Sequence, residues 1–166
     1  MVNFFYQRGQ EMENILLLLH PATGGLATLA ALWVFVDTLN AGEASVARVK
    51  NISIACAVLM WLTYFLGGYW YVNYYGVDKA LIKAGPWSFG HNFFMEVKEH
   101  VFLMLLLLAT YLPIASSSNV HINKEARKVV LWVAGLIVPT SLAMEGSGAV
   151  ISVAVKIALL LKGQGG

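Results

Sequence analysis

Two carboxylates and an imidazole, Glu96, Glu99 and His100, stand at the mouth of an apolar run that continues from Val101 to Ala109. At about 100° per residue these three share one helical sector, extended inward by Leu103, Leu107 and Thr110, while Lys98 points away from it. Ionisable groups inside a membrane span are costly, so this stripe is expected to face the protein interior as a functional site. His20 and Glu145 lie in two other apolar runs and add a second imidazole and a third carboxylate. Imidazoles can hold a haem iron, a mixed His/Glu set can hold zinc or non-haem iron, and desolvated carboxylates can carry protons. The remaining histidines read as bystanders, His91 wetted at the start of a span and His121 in a loop.

The elements that must position these residues follow from composition. The chain has 166 residues, 58% hydrophobic and 12% charged, whereas a soluble domain carries about 25% charge. Four apolar runs are long enough to cross a hydrocarbon core of ~30 Å, which takes about 20 helical residues. The chain therefore reads as an all-α integral membrane protein in the lipid bilayer, a four-transmembrane-helix up-and-down bundle. It forms a single membrane domain over residues 1–166, with spans at about 14–36, 52–72, 93–113 and 129–161. A net charge of +2 gives no footprint for nucleic acid. The lone Cys56 excludes an internal disulfide.

Between spans two and three, Val77 to Lys83 predicts a short amphipathic helix on the membrane surface, stopped by Gly85-Pro86. The aromatic cluster from Tyr69 to Tyr75 marks the membrane–water boundary beside it. At the other end of the bundle's first helix, Phe4, Phe5 and Tyr6 beside Arg8 suit a headgroup-level segment. The fourth span exceeds what a bilayer requires, so it is expected to tilt, protrude or break near Pro139.

In such a bundle spans one and three run in the same direction, and His20 and His100 each lie about two turns inward from the same face. The flanking helices bring Gly67-Gly68 and Gly148 to that level, with Glu145 beside them. Two imidazoles across a bundle diagonal, with glycines leaving room for a flat macrocycle, are what a bis-histidine haem needs. The arrangement resembles, in architecture alone, the membrane four-helix b-type cytochromes. The geometry, and not any family motif, predicts haem b between spans one and three and a role in electron transfer.

Other uses of the same residues remain open. Glu96 and His100, at i and i+4, present two ligands on one helix face. The run from Glu96 to His100 looks like the inverted zinc helix motif with glutamate replacing its first histidine. His20 and Glu145 would complete a zinc or non-haem iron site, with Glu99 as general base for a bound water. Glu96, Glu99, Glu145 and His100 can also be read as a proton or cation relay, with Lys156 as counter-charge. The blandest expectation is an accessory subunit whose polar residues pack against a partner.

Taken together, these residues predict an oxidoreductase, or its membrane cytochrome subunit. Its site is expected to comprise haem ligands His20 and His100, glycines Gly67, Gly68 and Gly148, and proton-handling Glu96, Glu99 and Glu145. A quinone is the expected partner, within a homo-oligomer or a larger membrane complex. The compact basic group Lys124, Arg127 and Lys128 leans toward the cytoplasm, which would put both termini on the non-cytoplasmic side.

Overall fold

The structure, a computed structural model, describes residues 2–164, with side chains described from residue 9 to residue 163. The side chains of Phe4, Phe5, Tyr6 and Arg8 lie outside the described residues. Lipid offers no partner to backbone N–H and C=O groups, so each long apolar run closes its own hydrogen bonds as a helix. Among the described residues, four helices result that are long and apolar enough to cross a membrane. They are α1 (Val2–Leu39), α2 (Val46–Asn73), α4 (Glu96–Ala115) and α5 (Lys124–Gln164). A shorter α3 (Tyr75–Ala84) follows α2, and a π-helical turn at Gly90–Met95 leads into α4. The predicted surface helix is thus present as α3, stopped at Gly85. The π turn was not anticipated.

The chain is an all-α membrane bundle. α1 packs on α2 and α5, and α4 packs on the same two, so α1 and α4 stand across a diagonal. Outward faces are apolar, as at Leu18, Leu107 and Trp132, which fits a multi-pass protein surrounded by lipid.

Pro21, Pro113 and Pro139 all sit inside helices, and α5 runs unbroken through Pro139. At ~1.5 Å per residue α5 is about 60 Å long, roughly twice the hydrocarbon thickness. Its excess length covers α3 and the π turn. A Cβ on Gly90 would stand 2.8 Å from the Ala154 methyl, and one on Gly85 would stand 3.2 Å from that of Ala158. Glycine is required at Gly90 for that approach.

The two ends of the bundle are packed differently. Toward the α1–α2 connection the helices meet through fully buried Ala27, Ala31, Cys56, Ala109 and Ala134, filled out by Val34, Val49, Val130 and Ile137. Small residues let backbones approach, so dispersion contacts hold the helices where lipid supplies no hydrophobic drive. Ala27 and Ala31 serve this helix packing. Arg127 ties this end, its guanidinium donating to the carbonyl of Thr38 at 2.9 Å and to that of Leu39. His121 Nδ1 donates to the carbonyl of Ala41 at 3.0 Å.

Candidate functional site

At the other end the four spans separate around a cavity of about 620 Å³, lined from α1, α2, α4 and α5. Most of its wall is apolar. One polar side chain from each span gathers at the inner part: His20, Thr63, Lys98 and Glu145. These four also line a smaller void of about 20 Å³ directly beyond, together with Ser141.

His20 is held by its neighbours. Its Nδ1 donates to the carbonyl of Thr63 at 2.9 Å, which leaves Nε2 with a free lone pair. The ring lies on Gly67, where an added Cβ would stand 2.5 Å from Cε1. Gly67 therefore makes room for the imidazole of this chain. The Thr63 and Thr23 hydroxyls lie 2.9 Å apart behind it. The Glu145 carboxylate packs on Gly24, another place where a side chain would collide.

Lys98 overturns the expected facing of α4. In place of pointing away, its ammonium lies in the cavity against Gly148, where a Cβ would stand 3.2 Å from Nζ. The inward stripe of α4 is Lys98, Phe102, Leu105, Ala109 and Leu112, continuing from Met95 at the end of the π turn. Glu96, His100, Leu107 and Thr110 are exposed, while Leu103 is exposed but still borders the cavity. Glu96 and Glu99 avoid the cost of a buried charge because Glu96 is exposed and Glu99 only half-buried near the entry of the span. Lysine tolerates the interior by burying its stem along apolar neighbours and presenting the charge in the cavity. Lys156, the expected counter-charge, is exposed and lies off the cavity.

Of the eight residues singled out, His20, Gly67, Gly68, Glu99, Glu145 and Gly148 line the cavity, while Glu96 and His100 do not. Gly68 opens on free space, with nothing within 4 Å of an added Cβ. His100 is exposed, and its Nδ1 donates to the Glu96 carbonyl one turn back at 2.7 Å. His20 and His100 are therefore not brought together. Glu96 turns its carboxylate toward His91, so the i, i+4 pair does not converge as two ligands. Among the described residues no three His, Cys, Asp or Glu side chains group closely enough to hold a metal ion.

His91 is the residue most misjudged from sequence. It was expected to be wetted and is 1% exposed. Its Nδ1 meets the Tyr75 hydroxyl at 3.0 Å, and its Nε2 is buried without a hydrogen-bond partner. Gly90 and Pro86 just before it signal only a turn; a π turn cannot be read from them. Lys98 falls in register with Phe102, Leu105, Ala109 and Leu112, but a lysine within a span is as costly as a carboxylate, so the sequence sets the two facings of α4 against each other without deciding between them.

Lys98 and Glu145 both face the cavity but are not closed into an ion pair: among the described residues those within 4.0 Å are Arg48–Asp37, Lys128–Glu125 and, at 3.8 Å, His91–Glu96. The cavity thus offers a cationic donor, an imidazole acceptor and a carboxylate around an apolar chamber. Comparison of the chain with protein-family models, with curated proteins and with solved structures finds no match.

Proposed function

We propose that the cavity binds a quinone-class ligand and that the chain is the quinone-binding membrane subunit of an electron-transfer assembly. The observation that carries this reading is the cavity, with apolar walls and one polar group from each of the four spans at its inner end. Its volume falls in the range of about 300–1,000 Å³ typical of small-molecule sites, where a few polar groups orient a mainly apolar ligand. A quinone is such a ligand: a flat ring with two carbonyls on an apolar tail. The Lys98 ammonium donates to a ring carbonyl. His20 Nε2, with its lone pair free, accepts from a hydroxyl of the reduced ring, and Glu145 beside it takes the proton onward. The tail leaves past Leu17, Val72 and Leu103, which line the cavity and are also exposed to lipid. With Lys124, Arg127 and Lys128 at the cytoplasmic side, the cavity and both termini lie on the non-cytoplasmic face.

Titration of the full chain in lipid nanodiscs with a decyl-substituted benzoquinone tests this, read by quenching of tryptophan, since Trp70 lines the cavity. Saturable binding is expected. Lys98→Met removes a charge-assisted hydrogen bond of about 1.5–3 kcal/mol and should weaken binding roughly 10- to 100-fold. His121→Ala, at the other end, should leave it unchanged. Absence of saturable binding, or binding indifferent to Lys98→Met, overturns the proposal.

One observation favours a second reading, a single haem b held on His20. A ligating histidine commonly donates its other ring N–H to a carbonyl, which is what His20 does toward Thr63. A haem shared with His100 requires α4 to be rotated so that His100 replaces Lys98 inward. The absorption spectrum of the purified protein decides this: a sharp α-band on dithionite reduction, abolished by His20→Ala, supports haem, and a featureless spectrum excludes it.

A further inference from the structure

His91 and Tyr75 are the largest ionisable side chains buried away from the polar inner end of the cavity, both 1% exposed. They form a second cluster behind its wall. The Tyr75 hydroxyl meets His91 Nδ1 at 3.0 Å, and His91 Nε2 faces Glu96 Oε1 at 3.8 Å. Nε2 has no other partner and is shut off from solvent, an unusual state for an imidazole nitrogen. Glu96 is about half exposed, with its side chain 52% accessible. On the cavity side, Tyr71 stacks on Tyr75 with centroids 5.2 Å apart, and Tyr71 and Glu99 both line the chamber. The imidazole is carried on the π-helical turn Gly90–Met95. Such turns are rare and frequent at functional sites, because the extra residue re-aims a side chain.

We propose that Tyr75, His91 and Glu96 form a proton path from the cavity wall to the aqueous edge of the membrane. The step balances without electrons. The Tyr75 hydroxyl gives its proton to Nδ1 and receives one from the cavity side, while Nε2–H passes its proton to the Glu96 carboxylate. One proton enters as one leaves, and neither Tyr75 nor His91 keeps a charge; the half-exposed Glu96 hands its proton to water, and the ring, left with its proton on Nδ1, regains the Nε2–H tautomer by a half-turn about its Cβ–Cγ bond before the next passage. Closing the 3.8 Å gap needs only a rotation of the half-exposed Glu96 side chain. Burial pushes the Tyr75 phenol up, so it serves as a neutral hydroxyl and not as a phenolate. The charged groups facing His91 are Lys79 and Lys83 from α3 and Glu96 and Glu99 from α4, whereas α5 presents Ile151 and Ala154 to this cluster. The opposed signs keep the site near neutrality, as a conduit requires. The use of the proton rests on the quinone reading; the path does not.

Nitrogen NMR of the full chain with labelled histidine, in nanodiscs and without quinone, tests the path directly. His91 should exchange protons with water across about pH 5–8. Glu96→Gln and Tyr75→Phe, which keep shape and ring packing, should each slow that exchange by roughly 10²-fold. Unchanged exchange in both variants overturns the proposal. The use of the proton is read separately, as proton uptake on dithionite reduction of added decyl-benzoquinone. Glu96→Gln should slow uptake while leaving quinone affinity as in wild type. If wild type binds no quinone but the NMR effects persist, the quinone reading fails and the path stands.

Discussion

Where α1 hands over to α2, the four helices meet through buried alanines, a cysteine and valines; at the other end the same helices meet through His20, Lys98 and Glu145 and leave a chamber. Glycine shows the difference. Gly135, on the closed half, faces the Phe35 ring, with 3.3 Å to an added Cβ. Gly24, Gly67 and Gly148 admit instead the polar ends of Glu145, His20 and Lys98. Small residues in a membrane bundle thus serve two ends. Paired with small or aliphatic partners they close a helix contact; paired with an ionisable partner they shelter it and hold the helices apart. The closed end packs the helices together, and the open end leaves a chamber between them.

The comparison can be broken most severely at the closed end. Ala31→Leu, at a position 0% exposed, should overpack the helices and cost up to about 3 kcal/mol, seen as a lower unfolding temperature in detergent. A smaller loss is expected for Arg127→Ala, which strips the Thr38 and Leu39 carbonyls of a charged donor at about 1.5–3 kcal/mol and should loosen the α1–α5 junction. Hydrogen exchange at Thr38 to Ala41 reads that loosening. The open end sharpens the contrast. Gly68→Leu projects into empty space and should move stability by no more than about 0.5 kcal/mol while abolishing decyl-benzoquinone binding. Gly67→Leu meets the His20 ring and should lower both. Equal stability losses at Gly67 and Gly68 would mean that the chamber is not open in solution.

The smallest effect concerns α3, at the rim of the open end. Burial, and then the neighbouring Glu13, raise the Asp78 carboxyl above its ordinary value of 3.8. The folded state therefore holds this proton more tightly than the unfolded chain. By linkage, stability should fall as pH rises from about that ordinary value through the raised one, and stay lower above it. Asp78→Asn removes the cost. It should modestly raise the unfolding temperature at neutral pH, with the gain disappearing below about pH 4. A gain that persists in acid would point to a cause other than ionisation.

Composition and run length determined the class, the number of spans and their order, because a bilayer demands about 20 apolar helical residues per crossing whatever surrounds them. They also placed the surface helix near Val77 to Lys83, where apolar and charged residues alternate with helical period. The level of the site followed too: counting turns from one face puts His20, Gly67, Glu145 and Gly148 together, and all four line the cavity. Only the tertiary structure decided which way α4 faces. A span that is apolar all round carries little contrast between its inward and lipid sides, so Glu96, Glu99 and His100 could be assigned inward as readily as Lys98. Glu145 and Gly148 on α5, and the cavity they border with His20, supply what holds Lys98 inward. His91 was equally out of reach: its burial depends on a π turn, on Tyr75 from another helix and on Ala154 of α5 pressing against Gly90. Contacts between helices made those choices, and no local pattern in the chain encodes them.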